Sequence, residues 1–254
     1  MTRFEGKVVV ITGAASGIGE GAVRRFAREG ATLALADRDS GKLDHLATAL
    51  DAKDLMAEVV DVSSHTQVKA FVEKVAQRFG RIDVVCNIAG VDHLGQVDEG
   101  DLGEWRRIMS TDLDGVFFMC RETIGHLRRS KGCIINMSSV SGIGGDWNHS
   151  FYNAAKGAVT NFTRALAMDE AAHGVRVNAV NPSYVRTPMT KGMQDQPDLI
   201  AKFEERIPMG RGGEPDDVAG VIAFLASEDA RFVTGVNLPV DGGLSASNGQ
   251  PRLS

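Results

Sequence analysis

Residues 8–19 of the 254-residue chain read VVVITGAASGIG. The first four are apolar and β-branched, which is typical of a strand buried on both faces of a parallel sheet. Three glycines, Gly13, Gly17 and Gly19, lie in the turn that follows, and an apolar helical pattern runs from there towards Gly30. A strand that passes through a glycine-rich turn into a helix is the first half of a βαβ unit. This opening predicts an α/β fold.

The same alternation of strand and helix continues through the chain. Strands that alternate with helices pair in parallel through right-handed crossovers. Because no change of composition marks a linker, we expect residues 1–254 to form a single domain. Its predicted architecture is a Rossmann-type, doubly wound parallel sheet of about seven strands with helices on both faces. Six further apolar runs predict strands at residues 32–36, 55–60, 82–86, 133–137, 175–180 and 236–240.

Two segments depart from this rhythm. Residues 187–213 follow the sixth strand and combine apolar side chains with four glycines. Ligands of doubly wound folds bind at the carboxyl ends of the strands, so this segment is predicted to be a substrate lid. A peripheral helical hairpin that only packs on the sheet is the alternative. The polar residues 247–254 are predicted to form a flexible tail.

Composition and charge narrow the range of partners. The formal net charge of −5 disfavours nucleic acid, because phosphate binding favours a basic face. No apolar run approaches the roughly 20 residues that span a bilayer, and residues 1–7 lack a signal-peptide pattern. The three cysteines are scattered without a CxxC motif, which predicts neither a disulfide framework nor a metal site. We therefore expect a cytoplasmic protein that binds a small molecule, and neither nucleic acid nor a membrane.

The glycine-rich turn predicts a dinucleotide site. In its GxxxGxG spacing, Gly13 permits the tight turn, Gly17 lets the backbone approach a pyrophosphate, and Gly19 allows the helix to pack closely on the strand. The helix that starts near Gly17 directs its free N–H groups at the phosphates. Glycines also occur in ordinary turns, but a position between the first strand and the first helix favours the dinucleotide. Ser16 and Ile18 complete the predicted phosphate loop.

Asp37, directly after the second strand, predicts which dinucleotide is bound. A carboxylate there accepts hydrogen bonds from the adenosine ribose diol and repels a 2′-phosphate. Arg38 could hold such a phosphate, but residues 14–16 supply no basic partner. An N-cap role for Asp37 is the alternative, although Asp39 or Ser40 would cap the next helix better. NAD is therefore predicted over NADP.

Two more strand ends carry residues that would border the cofactor. Each of these residues also fits an ordinary turn when it is taken alone. Because the carboxyl ends of parallel strands meet at one edge of the sheet, we expect them all to face the same cleft. The residues predicted to border the cofactor after the third and fourth strands are Asp61, Val62, Asn87, Ala89 and Gly90.

Tyr152 and Lys156 lie about one helical turn apart, so their side chains share one face of a predicted helix, and Ser139 ends the preceding strand. Oxidising an alcohol requires a base, and an unperturbed tyrosine, whose pKa is about 10, stays protonated at neutral pH. The neighbouring ammonium, together with an oxidised nicotinamide, lowers that pKa, while Ser139 holds the substrate oxygen. A YxxxK motif is common by chance. Here it follows a glycine-rich turn and a serine, and this order of motifs predicts an alcohol dehydrogenase.

In these motifs the chain resembles the classical short-chain dehydrogenase/reductase family, from Lys7 to about Gly243. The resemblance implies a Rossmann-type sheet, hydride transfer at a nicotinamide, and a homotetramer with the helix after residue 214 and the last strand at a subunit interface. It also implies that Tyr152 and Lys156 contact the cofactor, Lys156 through the nicotinamide ribose. The residues implied beside the nicotinamide after the sixth strand are Pro182, Val185 and Thr187.

Three positions depart from the family pattern. Ile88 replaces the second asparagine of the NNAG motif, and Ser183 replaces the glycine that follows Pro182. Asp112 stands where the family has an asparagine in the fourth helix, which helps to hold a water between the lysine and solvent. We expect Asp112 to keep this catalytic role through its main-chain carbonyl, or to pair with Lys156 and raise the pKa of the ammonium.

The predicted substrate pocket is mostly apolar and has no cluster of Arg or Lys for a phosphate. It favours an uncharged, fairly hydrophobic secondary alcohol or ketone of alicyclic, terpenoid, steroid or aryl type. An NADP-dependent carbonyl or 3-oxoacyl reductase is an alternative that Asp37 disfavours. A non-catalytic dinucleotide-binding regulator is a second alternative, disfavoured by the intact Ser139, Tyr152 and Lys156. The predicted substrate-binding residues are Val91, His93, Leu94, Ser141, Trp147, Tyr184 and Met189.

Overall fold

The computed structural model describes residues 2–50 and 54–250. Its strands are β1 Val8–Thr12, β2 Thr32–Asp37, β3 Leu55–Val59, β4 Val84–Asn87, β5 Cys133–Met137, β6 Arg176–Pro182 and β7 Asn237–Val240. These seven strands form one parallel sheet in the order β3-β2-β1-β4-β5-β6-β7, which confirms the predicted doubly wound α/β fold. The order reverses between β1 and β4, and doubly wound sheets open a ligand crevice at such a reversal.

Helices connect the strands and cover both faces of the sheet. They are α1 Gly17–Arg28, α2 Ser40–Ala49, α3 His65–Phe79, α4 Leu102–Ile108, α5 Gly115–Ser130, α6 Ser150–Ala171, α7 Lys191–Gln194, α8 Pro197–Arg206 and α9 Pro215–Ala226.

The two faces of the sheet carry separate hydrophobic clusters because successive side chains of a strand point to opposite sides. In β1, Val9 and Ile11 pack with α1, α2 and α9, whereas Val8 and Val10 pack with α3, α5 and α6. These side chains are almost completely buried, and each fully buried valine or isoleucine stabilises the fold by about 1.5–3 kcal/mol. The continuous apolar run of β1 therefore fits a strand at the centre of the sheet.

The long helical stretch predicted for residues 102–129 is interrupted. α4 ends at Ile108, a π-helical segment spans Met109–Asp114, and α5 continues from Gly115. A π-helical turn bonds residue i to i+5 and is often found at functional sites. Here it contains Asp112, whose side chain is completely buried.

The segment 187–213 forms a 3-10 turn, Pro188–Thr190, followed by α7 and α8. Its first turn is fixed to the loop after β6, because the Thr190 hydroxyl donates to the Val185 carbonyl at 2.7 Å and accepts from the Thr187 amide at 3.1 Å. Part of the predicted tail, residues 251–254, lies outside the described residues.

The three cysteines, Cys86, Cys120 and Cys133, are free and buried. Burial raises the pKa of the Cys120 thiol to about 12 and that of Cys133 to about 11, and it raises the pKa of Cys86 well above its usual range. Within residues 2–50 and 54–250, no three metal-binding side chains are grouped to hold a metal ion. Nor do these residues include a helix with the length and apolar character needed to cross a membrane.

Candidate active site

A cleft of about 1120 Å³ runs along the carboxyl ends of the parallel strands, where the strand order reverses. Its walls come from the glycine-rich turn after β1, the ends of β2 to β6, the start of α6, and the segment containing α7 and α8. Three residues predicted for the site, Asn87, His93 and Leu94, do not line this cleft. All the other residues predicted for catalysis, cofactor and substrate line it.

The three exceptions have identifiable local causes. Asn87 lies in the core, where its side-chain amide donates to Asn136 Oδ1 at 2.9 Å. His93 is turned away from the cleft towards Phe151, with its ring 6.0 Å from that ring, and Leu94 is 61% exposed. The chain leaves the cleft beyond Asp92, and neither His93 nor Leu94 lines it in this structure.

The glycine turn packs its backbone so closely at the wall of the cleft that side chains would not fit. Gly13 and Gly17 have φ values of +64° and +54°, a region that strongly favours glycine. A Cβ atom on Gly13 would lie 2.7 Å from the Ala89 backbone, and one on Gly19 would lie 1.8 Å from the Gly13 carbonyl oxygen. α1 begins at Gly17 and points its unpaired N–H groups into the cleft. The turn therefore fits a dinucleotide pyrophosphate.

Asp37 is fixed at the end of β2 by backbone hydrogen bonds. Its Oδ2 accepts from the Ala15 amide at 2.9 Å, and its Oδ1 accepts from the Asp39 amide at 3.0 Å. Two cations, Arg38 and Lys42, also line this end of the cleft, but Lys42 forms an ion pair with Asp39 at 2.8 Å. The carboxylate of Asp37 thus presents a fixed negative charge where an adenosine ribose would lie.

Ser139, Tyr152 and Lys156 meet in the part of the cleft between β5 and α6. The Lys156 Nζ atom lies 5.4 Å from the centre of the Tyr152 ring, as expected for neighbours one turn apart on a helix. Burial raises the pKa of Tyr152, Lys156 lowers it, and the charge of Asp112 raises it again, so the net effect is upward. The arrangement supplies a phenol, an ammonium and a hydroxyl on one wall.

Asp112 pairs directly with Lys156. Its Oδ2 lies 2.9 Å from Lys156 Nζ, and its Oδ1 accepts from the Val91 amide at 2.8 Å. The ammonium also donates to the Met137 carbonyl at 3.0 Å. Burial lowers the pKa of Lys156, but Asp112, Tyr152 and Asp92 together more than offset it, so the net shift is upward. The structure has the ion pair expected from the sequence.

Two acidic residues of the cleft, Asp92 and Asp146, were not predicted. Asp92 Oδ2 lies 3.4 Å from His149 Nε2, and this contact outweighs burial and raises the pKa of His149. A backbone hydrogen bond from Gly95 to Asn148, 2.7 Å long, holds the two loops together. No periodicity connects residues so far apart in sequence, so the pair could be found only from the structure.

Asp146 ends a chain of hydroxyl groups that begins at Ser139. The Ser139 hydroxyl donates to Ser141 Oγ at 3.1 Å, and the Ser141 hydroxyl donates to Asp146 Oδ2 in a close contact. Asn153 holds this loop through its side-chain amide, which donates to the carbonyls of Ser141 at 2.8 Å and Gly144 at 2.9 Å. Asp146 reaches the serines through the shape of this loop, so its place in the cleft could be found only from the structure.

Comparison with known proteins places this geometry in a family. A family model described as Enoyl-(Acyl carrier protein) reductase matches residues 13–245. Meso-2,3-butanediol dehydrogenase of Serratia marcescens is 51% identical over 251 residues, which cover 99% of this chain and 99% of that protein. The chain belongs to the short-chain dehydrogenase/reductase family. This dehydrogenase/reductase is therefore an oxidoreductase of alcohols and ketones that binds a nicotinamide dinucleotide.

Solved structures of the family superpose closely on this dehydrogenase/reductase. The crystal structure of levodione reductase gives a TM-score of 0.92 at 36% identity, over 96% of this chain and 100% of that chain. The structure of 3-ketoacyl-(acyl-carrier-protein) reductase from Brucella melitensis complexed with NADH gives 0.88 at 38% identity, over 95% of this chain and 99% of that chain.

Proposed function

We propose that this protein is an NAD-dependent dehydrogenase that interconverts an uncharged secondary alcohol and its ketone. The observation that carries the proposal is the meeting of Ser139, Tyr152 and Lys156 in one cleft that also contains the fixed carboxylate of Asp37. The first three residues supply the proton chemistry, and Asp37 selects the cofactor.

The proton chemistry follows from the charges around Tyr152. In the oxidative direction, the Tyr152 phenolate takes the proton of the substrate hydroxyl, and the ammonium of Lys156 stabilises that phenolate. Ser139 positions the substrate oxygen, and Asp112 holds Lys156 in its charged form. A bound nicotinamide would exchange a hydride with the substrate carbon. The glycine turn and the strand ends beside it hold the cofactor.

The preference for NAD rests on Asp37. A 2′-phosphate at the end of β2 would meet its carboxylate, which two backbone amides hold in place. Arg38 lies beside it and is the residue that would favour NADP. Since Lys42 is paired with Asp39, Arg38 would have to offset the repulsion alone.

The substrate end of the cleft supports an uncharged substrate with apolar substituents. Its apolar wall includes Val91, Tyr184 and Met189, and we propose that the segment 187–213 closes over it as a lid. An alicyclic, terpenoid, steroid or aryl alcohol would suit this wall. The Serratia relative is named for a small aliphatic diol, so we include small alcohols with the larger ones among the proposed substrates.

A panel of alcohols, with NAD or NADP reduction followed by absorbance, tests the proposal. We expect turnover of at least one secondary alcohol with NAD, and a loss of about 10²–10⁴-fold in kcat in Tyr152→Phe, as is typical when a general acid–base group is removed. NAD binding should persist in the variant, which can be measured by calorimetry. Turnover restricted to NADPH and oxoacyl thioesters would support the 3-oxoacyl reductase instead, and NAD binding without any turnover would support a regulator.

Assembly and location complete the proposal. We propose a homotetramer, supported by exposed apolar side chains on α5 and α6 and around β7, among them Phe117, Met168 and Phe232. Light scattering after gel filtration would test the subunit number. A cytoplasmic location is supported by the three free, buried cysteines, which suit a reducing compartment.

A further inference from the structure

We propose that Asp146 and Ser141 bind a second hydroxyl group of the substrate, on the carbon next to the reacting one, so that vicinal diols and the matching hydroxyketones are the preferred substrates. This inference rests on the proposed function, because it requires that Ser139 and Tyr152 bind the reacting oxygen. The observation behind it is the chain of hydrogen bonds from Ser139 through Ser141 to Asp146.

The chain has a fixed direction. A carboxylate can only accept, so the Ser141 hydroxyl must donate to Asp146, and Ser141 Oγ is then free to accept from Ser139. Besides Ser141 Oγ, the Ser139 hydroxyl can donate to the Pro182 carbonyl at 3.5 Å, and it contacts Tyr152, whose pKa this contact lowers, while its own oxygen accepts from the Ser141 amide at 3.1 Å. In this arrangement the Ser139 proton is directed away from the substrate.

A substrate with one hydroxyl leaves this arrangement in place. Such a substrate can donate to Ser139 Oγ but receives no proton from it. A second hydroxyl that donates to Asp146 competes with Ser141 for the carboxylate. Ser141 could then turn towards Ser139, whose hydroxyl would be released to donate to the reacting oxygen, where negative charge develops.

The spacing suits two oxygens on adjacent carbons. Ser139 and Asp146 are joined through a single intervening hydroxyl, so a ligand oxygen bound at Ser139 lies close to Ser141. Oxygens on neighbouring carbons are themselves about one hydrogen-bond length apart. The second oxygen of a vicinal diol can therefore reach Ser141 and Asp146 while the first stays at Ser139.

Asp146 is the acid in this part of the cleft that has bonding capacity left. It is exposed and lines the cleft, and among the described residues no group donates to its Oδ1. Asp92, in contrast, accepts from the His93 amide at 2.7 Å through Oδ1 and contacts His149 through Oδ2. The negative charge of Asp146 also repels substrates with a carboxylate or phosphate at the second carbon.

The test compares butane-2,3-diol with butan-2-ol, which differ by the second hydroxyl, using NAD and the full-length protein. We expect wild type to have a kcat/KM at least tenfold higher for the diol. Asp146→Asn should reduce this ratio by about tenfold or more, as expected for one hydrogen bond to a charged group. Ser141→Ala should reduce it as well, and the effects of the two substitutions should not add, because both act on one chain of hydrogen bonds.

Asp44→Asn is the matched control, since Asp44 is exposed on α2 and does not line the cleft. It should leave the ratio unchanged, and unfolding temperatures close to wild type would show that all variants fold. An unaltered ratio in Asp146→Asn, or equal efficiency of wild type with both alcohols, overturns the inference. Failure of wild type to oxidise any secondary alcohol with NAD would instead overturn the proposed function.

Discussion

The Nζ atom of Lys156 lies 2.9 Å from Oδ2 of Asp112, and both side chains are buried, with exposures of 2% and 0%. The second oxygen of the same carboxylate accepts from the Val91 amide in the wall of the cleft. Asp112, in the π-helical segment, thus fixes both the ammonium of Lys156 and the loop after β4. A buried charge pair needs such additional hydrogen bonds to offset the loss of solvation.

Replacing Asp112 with asparagine should change how the rate of alcohol oxidation depends on pH. Asp112 raises the pKa of both Tyr152 and Lys156, so its removal should lower both. The rising limb of kcat/KM, where Tyr152 loses its proton, should move to lower pH. At higher pH, Lys156 loses its charge, and the resulting fall in rate should also begin at a lower pH than in wild type. Asp114→Asn, an exposed neighbour, should keep the wild-type profile. An unchanged rate and profile in Asp112→Asn would mean that Asp112 is only structural.

Asp37→Asn should weaken the preference for NAD. The amide oxygen can still accept from the Ala15 amide, but the charge that repels a 2′-phosphate is gone. Because a like-charge contact costs several kcal/mol, we expect the ratio of kcat/KM for NAD over NADP to fall at least tenfold. Steady-state rates with each cofactor measure this ratio. If wild type already uses both equally well, Asp37 is not the selecting residue.

Gly19→Ala should disrupt the dinucleotide turn. The new Cβ atom would lie 1.8 Å from the Gly13 carbonyl oxygen, which belongs to the backbone and cannot rotate away. We expect destabilisation of about 1–3 kcal/mol in chemical unfolding, together with weaker cofactor binding. Gly157→Ala is the control, since nothing lies within 4 Å of its Cβ position in α6 and alanine should add about 0.5–1 kcal/mol. Equal stability of both variants would contradict the close packing of Gly19.

Arg128→Gln should destabilise the protein in a pH-dependent way. Arg128 makes two hydrogen bonds, 2.7 and 2.8 Å long, to the buried carboxylate of Glu170, and these bonds lower the pKa of Glu170. Their contribution is present above the unfolded-state pKa of glutamate and is lost as the pH falls through the folded-state value. The unfolding temperature should therefore drop at neutral pH and approach wild type in acid. Arg164→Gln, exposed on the same helix as Glu170, should show no such pH dependence.

Local patterns were enough to predict the strands and the glycine turn. The predicted strand ends agree with the structure to within two residues, because each strand is a short apolar run bounded by polar or glycine residues. The carboxyl ends of parallel strands necessarily meet at one edge, so the placement of Asp37, Ser139 and Lys156 in one cleft followed from their order alone.

Features that depend on tertiary contacts were missed. No proline or glycine lies within the π-helical segment Met109–Asp114, and ordinary helical periodicity cannot distinguish it from an α-helix. His93 and Leu94 were placed in the pocket because they follow β4, yet the loop turns outward before them. Asp146 comes close to Ser139 through a loop whose shape depends on the side chain of Asn153.

The three buried thiols can be used to measure how often the native fold opens transiently. Cys86 lies in β4, Cys133 in β5 and Cys120 in the helix packed on them, so all three are at the centre of the molecule. Thiols react in the thiolate form, but burial keeps these three thiols protonated and away from solvent. A thiol-reactive dye should therefore modify only molecules whose sheet has transiently opened. Slower labelling in the presence of a dinucleotide would show that the dinucleotide binds, and no engineered cysteine is needed.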